Sequence, residues 1–292
     1  MLYFLVYNYF DKIDKTSHDN EENMSIQTKK YDKKVTITTI QNLKGKEPIT
    51  MVTAYDALFA NLFDGSVEMI LVGDSLNMSF LGKSDTLSAT LPQMIYHTQA
   101  VCNGAKKSLV VLDMPFGSYN TAEDALNSAV QVYQESEASA VKIEGGKDRA
   151  HIIKHLTSNS IAVMGHIGLM PQFVRSEGGY KVRRDDNQLQ ELIDDAKAIE
   201  EAGAFAIVIE GVRDDIAKAI TEAISIPTIG IGAGVDTDGQ VLVWSDMFGF
   251  FEEFKPKFVK HYLQGASLVK EGLENYVDEV KNRQFPSREY IY

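Results

Sequence analysis

The sequence predicts an α/β protein, a (β/α)8 barrel, and three observations carry that prediction. Eight short β-branched runs recur after Lys46, each followed by a longer helical pattern. The runs are nearly continuously apolar instead of alternating, as expected for strands buried on both faces of a parallel sheet. The whole rhythm occupies roughly 200 residues, the size of one such barrel. A doubly wound open sheet is the alternative architecture. Its dinucleotide-binding form has no support, because no GxGxxG follows an early run.

The runs fall in order as ITMVTAY (Ile49 to Tyr55), MILVGDS (Met69 to Ser75), SLVVLDMP (Ser108 to Pro115) and AVKIEGG (Ala140 to Gly146). AVMGHIG (Ala162 to Gly168), FAIVIEG (Phe205 to Gly211), PTIGIGAG (Pro227 to Gly234) and QVLVWSD (Gln240 to Asp246) complete them. Helices are expected between. TAEDALNSAVQVYQESEA opens with Thr121 ahead of Asp124, close to a capping box. NQLQELIDDAKAIEEAGA stops at Gly203. Two connections are long: NMSFLGKSDTLSATLPQ after the second run, with a helix start near Leu91–Pro92, and LMPQFVRSEGGYKVRRDDNQ after the fifth. Long loops of this kind are usually lids or binding loops, and in a barrel they lie on the active-site face. The segment PKFVKHYLQGASLVKEGLENYVDEVKNR predicts two helices broken near Gly265, followed by a tail.

At the other end, MLYFLVYNYF is apolar but ten residues long, against roughly 20 for a membrane-spanning helix. It lacks the basic start and small-residue cleavage site of a secretory signal. The polar stretch that follows reads as disordered. Residues 1–35 are therefore expected as a disordered extension, and residues 36–292 as a single barrel with C-terminal helices.

Of 292 residues, 29 are Lys or Arg and 41 are Asp or Glu, a formal charge of −12. That balance argues against nucleic acid and anionic membranes as partners, which need excess positive charge. It leaves small anionic substrates open. A single cysteine, Cys102, excludes a disulfide framework and a Cys-rich zinc site, and a reducing cytoplasm is the expected location.

Four acidic residues stand at the C-terminal ends of apolar runs: Asp74, Asp113, Glu144 and Glu210. The period of two along a strand predicts that Val72 and Asp74 share a face, as do Val111 and Asp113, Lys142 and Glu144, and Val208 and Glu210. One such aspartate is commonly a helix N-cap. Four at equivalent positions point instead to a divalent-cation site plus a base, since a buried unpaired carboxylate is costly. All-oxygen ligands favour Mg²⁺. Asp74, Asp113 and Glu144 come from consecutive strands. Glu210, two strands further on, is placed to act as general base. Lys142 can neutralise the acidic cluster and can also bind an anionic substrate or stabilise an enolate, and the two roles are compatible. His166 reads first as a hydrogen-bonded structural residue. IGIGAG resembles a phosphate loop, but tight barrel turns need glycine as well.

TAYD, LVGDSL, YHTQAV, the DMPF segment, VKIEGG, GHIGLMPQ, GGYKV, IPTIGIGAG and TDGQVLV occur here in one order. In that order and spacing the chain resembles the ketopantoate hydroxymethyltransferase family, from about Val35 to the last helices. The resemblance implies a barrel related to the phosphoenolpyruvate/pyruvate-binding and isocitrate-lyase type. It implies transfer of a one-carbon unit from 5,10-methylenetetrahydrofolate to 3-methyl-2-oxobutanoate, giving 2-dehydropantoate for pantothenate synthesis. It also implies Mg²⁺ and a homodecamer. By motif, Asp74, Asp113 and Glu144 match the metal-site residues, and Asp74, Ser75, Asp113 and Lys142 match positions that hold the oxo acid. Glu210 matches the proton acceptor, with His166 and Tyr55 nearby.

The chain departs from the family pattern at Asn77, where glycine is expected and would permit a positive φ that asparagine tolerates better than most residues, in KSDTLSAT, and at Ser245–Asp246 after Trp244. These changes touch loops on the folate side. The competing functions are a Mg²⁺-dependent aldolase or lyase of 2-oxo acids, which would use free aldehydes, and a non-catalytic ring-forming barrel.

Overall fold

The computed structural model describes residues 31–252 and 255–292. Eight parallel strands form one closed barrel in chain order. They are β1 (Ile49–Thr53), β2 (Met69–Val72), β3 (Leu109–Asp113), β4 (Ala140–Glu144), β5 (Val163–Gly168), β6 (Ala206–Glu210), β7 (Thr228–Ile231) and β8 (Gly239–Leu242). Closure runs through β8 and β1, with Ile49 opposite Gly239 and Val52 opposite Leu242. A side chain at Gly239 would place its Cβ 2.4 Å from the Ile49 carbonyl oxygen, so only glycine permits the closing strand to approach. The closed sheet rules out the open, doubly wound alternative.

Alternation along each strand sorts the apolar residues into two layers. Met51, Leu71, Val111, Met164, Val208 and Ile229 belong to one cluster that fills the barrel. Their neighbours Val52, Ile70, Val110, Val141 and Ile207 pack outward among the helices. Both sides are buried, which is why the runs read as continuous apolar stretches. The short helix α1 (Ile37–Leu43) buries Ile40, and Val35 and Ile40 join the interior cluster beside the starts of β1 and β2. Together they plug the N-terminal end. The backbone meets the barrel from Tyr31, whose N–H donates to Gly65 O at 2.8 Å, so this contact starts ahead of the expected boundary at residue 36. Residues 1–30, the remainder of the expected extension, lie outside the described residues.

Around the barrel run α2 (Ala57–Phe63), α3 (Leu76–Ser79), α4 (Leu91–Gly104), α5 (Ala122–Glu135), α6 (Ala150–Ser158), α7 (Leu189–Glu201) and α8 (Asp214–Ala223). Local signals set their ends. Asp56 caps α2 by accepting from Phe59 N–H at 2.9 Å. Thr121 and Asp124 form the reciprocal box expected for α5. The chain leaves α7 through Gly203 at φ +94°. Among the described residues no helix is long and apolar enough to cross a membrane.

Two expectations are corrected. The eighth run ends as a strand at Leu242, and Trp244–Met247 instead forms a helical turn, α9. Its start is held by the Trp244 N–H donating to Thr53 Oγ1 at 3.0 Å. The C-terminal segment contains one described helix, α10 (Gly265–Lys281), and not two. Before Gly265 the backbone donors go elsewhere: Tyr262 N–H to Met247 O and Gly265 N–H to Phe248 O, each at 2.8 Å. Tertiary hydrogen bonds have replaced the helical ladder that the apolar spacing suggested.

Candidate active site

Strand register brings the predicted side chains to one end of the barrel. Asp113 pairs with Lys142 across β3 and β4. Glu144 pairs with His166 across β4 and β5. Gly168 pairs with Glu210 across β5 and β6. Asp113, Lys142 and Glu144 thus follow the predicted alternation. Asp74 reaches the mouth by another route. Val72 packs outward in the helix-facing cluster, so a shared face with it would point Asp74 away from the site. The strand ends at Val72 and the chain turns at Gly73. The turn lets the Asp74 N–H donate to Asp113 Oδ2 at 3.3 Å while its carboxylate accepts from Gln172 Nε2 at 2.9 Å.

Lys142 is the centre of the cluster. Its Nζ lies 2.7 Å from Asp113 Oδ1 and 3.0 Å from His166 Nδ1, with all three side chains buried. Burial works against the ammonium, but Asp113, Glu144 and Asp74 outweigh it and hold the lysine charged, above its ordinary value. An ammonium can only donate, so His166 Nδ1 accepts and the ring proton sits on Nε2. Burial, and then the Lys142 charge, push the histidine well below its usual pKa, so it is neutral. His166 is hydrogen-bonded through Nδ1 to Lys142.

The carboxylates differ in setting. Burial, reinforced by Asp113, raises Asp74. Burial also raises Glu144, with Lys142 opposing. Glu144 Oε2 accepts from the Gln172 backbone N–H at 3.0 Å. Glu144 Oε1 has no hydrogen-bond partner, whereas Asp113 Oδ1 is taken by the Lys142 ammonium. Glu210 stands apart: its side chain is 19% exposed, its Oε2 is 3.4 Å from His166 Nε2, and burial pushes its carboxyl up to about 7 against the pull of Lys142.

Among the described residues no three His, Cys, Asp or Glu side chains already converge as a metal cage. Mg²⁺ usually takes only one or two carboxylates directly and keeps waters or substrate oxygens. Asp74 and Asp113 supply that number. The buried Glu144 Oε1 has no hydrogen-bond donor, and such a spare acceptor within the carboxylate cluster suits a hard cation. The residues present thus fit the cation.

Ser75 and Tyr55 lie beside this centre. Tyr55 OH and Ser75 Oγ are 2.9 Å apart, and His97 Nδ1 is 2.7 Å from the Tyr55 carbonyl oxygen. Asn77 has no positive φ. It sits in α3, and its Nδ2 donates to Ser88 Oγ at 2.8 Å and Asp85 O at 3.3 Å, pinning the long loop after β2. That loop meets the one after β5, where Arg175 Nη2 lies 2.9 Å from Asp85 Oδ2. IGIGAG packs through Gly232, over which Phe258 lies.

The residue that sequence reasoning missed is Gln172. Besides Asp74 and Glu144 it reaches Met114 O with Nε2 at 2.9 Å, and its Oε1 accepts from Tyr119 OH at 2.5 Å. Tyr119 is itself buried. The only signal was a polar residue inside MPQF, in a connection where no periodicity assigns a face.

The ketopantoate hydroxymethyltransferase family model matches residues 34–288. The chain is 64% identical over 270 residues to the 3-methyl-2-oxobutanoate hydroxymethyltransferase of Aliarcobacter butzleri, covering 92% of this chain and 100% of that one. It is 63% identical to the enzyme of that name from Sulfurimonas denitrificans, covering 89% of this chain and 99% of that one. Among solved structures it is similar in fold to phosphoenolpyruvate phosphomutase from Streptomyces platensis subsp. rosaceus, with a TM-score of 0.59 at 13% identity, covering 88% and 92% of the two chains. Phosphonopyruvate hydrolase gives a TM-score of 0.56 at 14% identity, covering 88% and 90%.

Proposed function

The chain belongs to the ketopantoate hydroxymethyltransferase family, and from that premise we propose how its mouth forms 2-dehydropantoate from 3-methyl-2-oxobutanoate. The enzyme removes the C3 proton of the oxo acid, and the resulting enolate carbon attacks the methylene carbon of 5,10-methylenetetrahydrofolate. One of the two carbon–nitrogen bonds of that methylene gives way to the new carbon–carbon bond, water supplies the hydroxyl as the second breaks, and the two freed nitrogens take up the C3 proton and the remaining water proton. The observation that carries this reading is one buried ammonium, Lys142, set between Asp113 and neutral His166, with the raised carboxyl of Glu210 on the open side.

Each residue then has a task. Glu210 accepts the C3 proton at a carboxyl oxygen. A base whose pKa lies near the working pH is suited to that transfer. Lys142 places positive charge where negative charge grows on the substrate oxygens. His166, bonded to Lys142 through Nδ1, fixes the direction of the ammonium. Tyr55 holds the Ser75 hydroxyl toward the oxo acid. Asp74 and Asp113, with Glu144 behind them, would hold Mg²⁺, which when bound draws electron density from the 2-oxo acid and acidifies C3–H. We propose the homodecamer and the cytoplasm as its setting on the same family likeness.

The test is an assay for 2-dehydropantoate with the folate donor and Mg²⁺ each present and absent. Product is expected only with both. Product formed from free aldehyde without the folate would make the chain an aldolase instead.

A further inference from the structure

Two cavities flank one exposed aromatic ring just outside the carboxylate cluster. Phe116 is 55% exposed and lies three residues beyond Asp113. On one side is a cavity of 350 Å³ lined by Leu87, Ser88, Phe116, Gln172, Arg175 and Ser176. On the other is a cavity of 130 Å³ whose lining adds Tyr119, Asn120 and Arg149 to Phe116 and Gln172. The larger falls within the roughly 300–1,000 Å³ typical of ligand pockets. Gln172 lines both, and its far contacts are Asp74 and Glu144. The groove is therefore one residue away from the proposed oxo-acid site, on its solvent side.

The charge of this groove is unlike that of the chain. The protein carries −12, yet no carboxylate side chain lines either cavity, and each is bordered by an arginine. Arg175 shares its charge with Asp85. Arg149 is freer: its Nε has no hydrogen-bond partner, and the Asp148 carboxylate is 3.8 Å away. An aromatic face, apolar Leu87 and a spare guanidinium suit a ligand with a flat heteroaromatic ring and an anionic tail.

We infer that this groove docks the one-carbon donor, its ring against Phe116 and its carboxylate tail toward Arg149. The inference rests on the proposed function, which needs a donor presented to the enolate from the open side. It adds which surface does so.

The test compares wild type, Phe116→Ala, Phe116→Tyr and Arg149→Gln. The Michaelis constants of donor and oxo acid are measured separately, and tetrahydrofolate binding is measured by calorimetry. Stacking on an aromatic ring is sequence-tolerant and substantial, so Phe116→Ala is expected to weaken tetrahydrofolate binding and raise the donor KM about tenfold. The oxo-acid KM should move far less. Phe116→Tyr should recover most of the loss, and Arg149→Gln should also act on the donor KM first. Donor and oxo-acid constants that shift together would overturn the inference, as would a Phe116→Ala protein that binds tetrahydrofolate normally. A change in assembly mass without a donor effect would overturn it too, by assigning Phe116 to a contact between subunits. Failure of the wild type to need a donor is a separate result and strikes the functional reading.

Discussion

Lys142 Nζ stands 3.0 Å from His166 Nδ1, and that single hydrogen bond decides the state of both groups. It requires a neutral imidazole with its proton on Nε2, on the side where Glu210 Oε2 lies 3.4 Å away. A protonated histidine would put two cations in contact in a buried site. The His166 ring is therefore expected to stay neutral to well below its ordinary pKa. The ¹⁵N shifts of labelled His166 followed from pH 8 downward, about two units past the usual midpoint near ~6.5, check this. A titration at the ordinary value would contradict the arrangement.

Glu210 is the mostly buried carboxyl at the open side of the mouth, and burial raises it to about 7. The proposal that it acts as base predicts that C3–H exchange into deuterated water rises with pH and levels off above about 7. Glu210→Gln should keep oxo-acid binding and lose exchange by about 10²- to 10⁴-fold. NMR of the oxo acid reads this directly, and undiminished exchange would remove Glu210 from the mechanism.

The same raised carboxyl has a consequence for stability. The folded state holds the Glu210 proton more tightly than the unfolded chain does, so its contribution is full below the ordinary value of 4.5 and is lost as pH rises through about 7. Glu210→Gln should therefore gain on wild type between these values. Urea unfolding at pH 5 and at pH 8 measures it, and a difference of opposite sign would show that another group dominates.

Much of this was legible in the sequence, for physical reasons that differ by residue. Asp113, Lys142 and Glu144 sit on regular strands, where a period of two assigns their face. Asp74 was expected in the right place by an incorrect route, since its strand stops at Val72 and a turn at Gly73 redirects it. Gln172 and Tyr119 lie in connections, where no period exists and only tertiary contacts give them partners. The helix expected before Gly265 failed because carbonyls at 247 and 248 took its donors.

Gln172 joins four groups of the site, and its amide meets Asp74, Met114 O and Tyr119 OH. Gln172→Met keeps the bulk and removes the amide. Leaving buried partners unpaired costs about 1–3 kcal/mol. Urea unfolding should show a loss of that size together with weaker oxo-acid binding. A loss in stability alone would make Gln172 a packing residue with no part in setting the carboxylates.

Mg²⁺ binding gives the last prediction. A ligand that binds only the folded state stabilises it by about 2.7 kcal/mol at a hundred times its Kd. If Asp74 and Asp113 are the direct ligands, with the unpartnered Glu144 Oε1 beside them, the melting temperature should climb with added Mg²⁺ in wild type. Asp113→Asn should abolish the climb while keeping the side chain's shape. Glu144→Gln should only weaken it, because Glu144 Oε2 is already occupied by the Gln172 N–H. Calorimetric melts across a magnesium series separate the cases. An unchanged climb in Asp113→Asn would move the cation away from β3, and a climb lost only in Glu144→Gln would move it to β4.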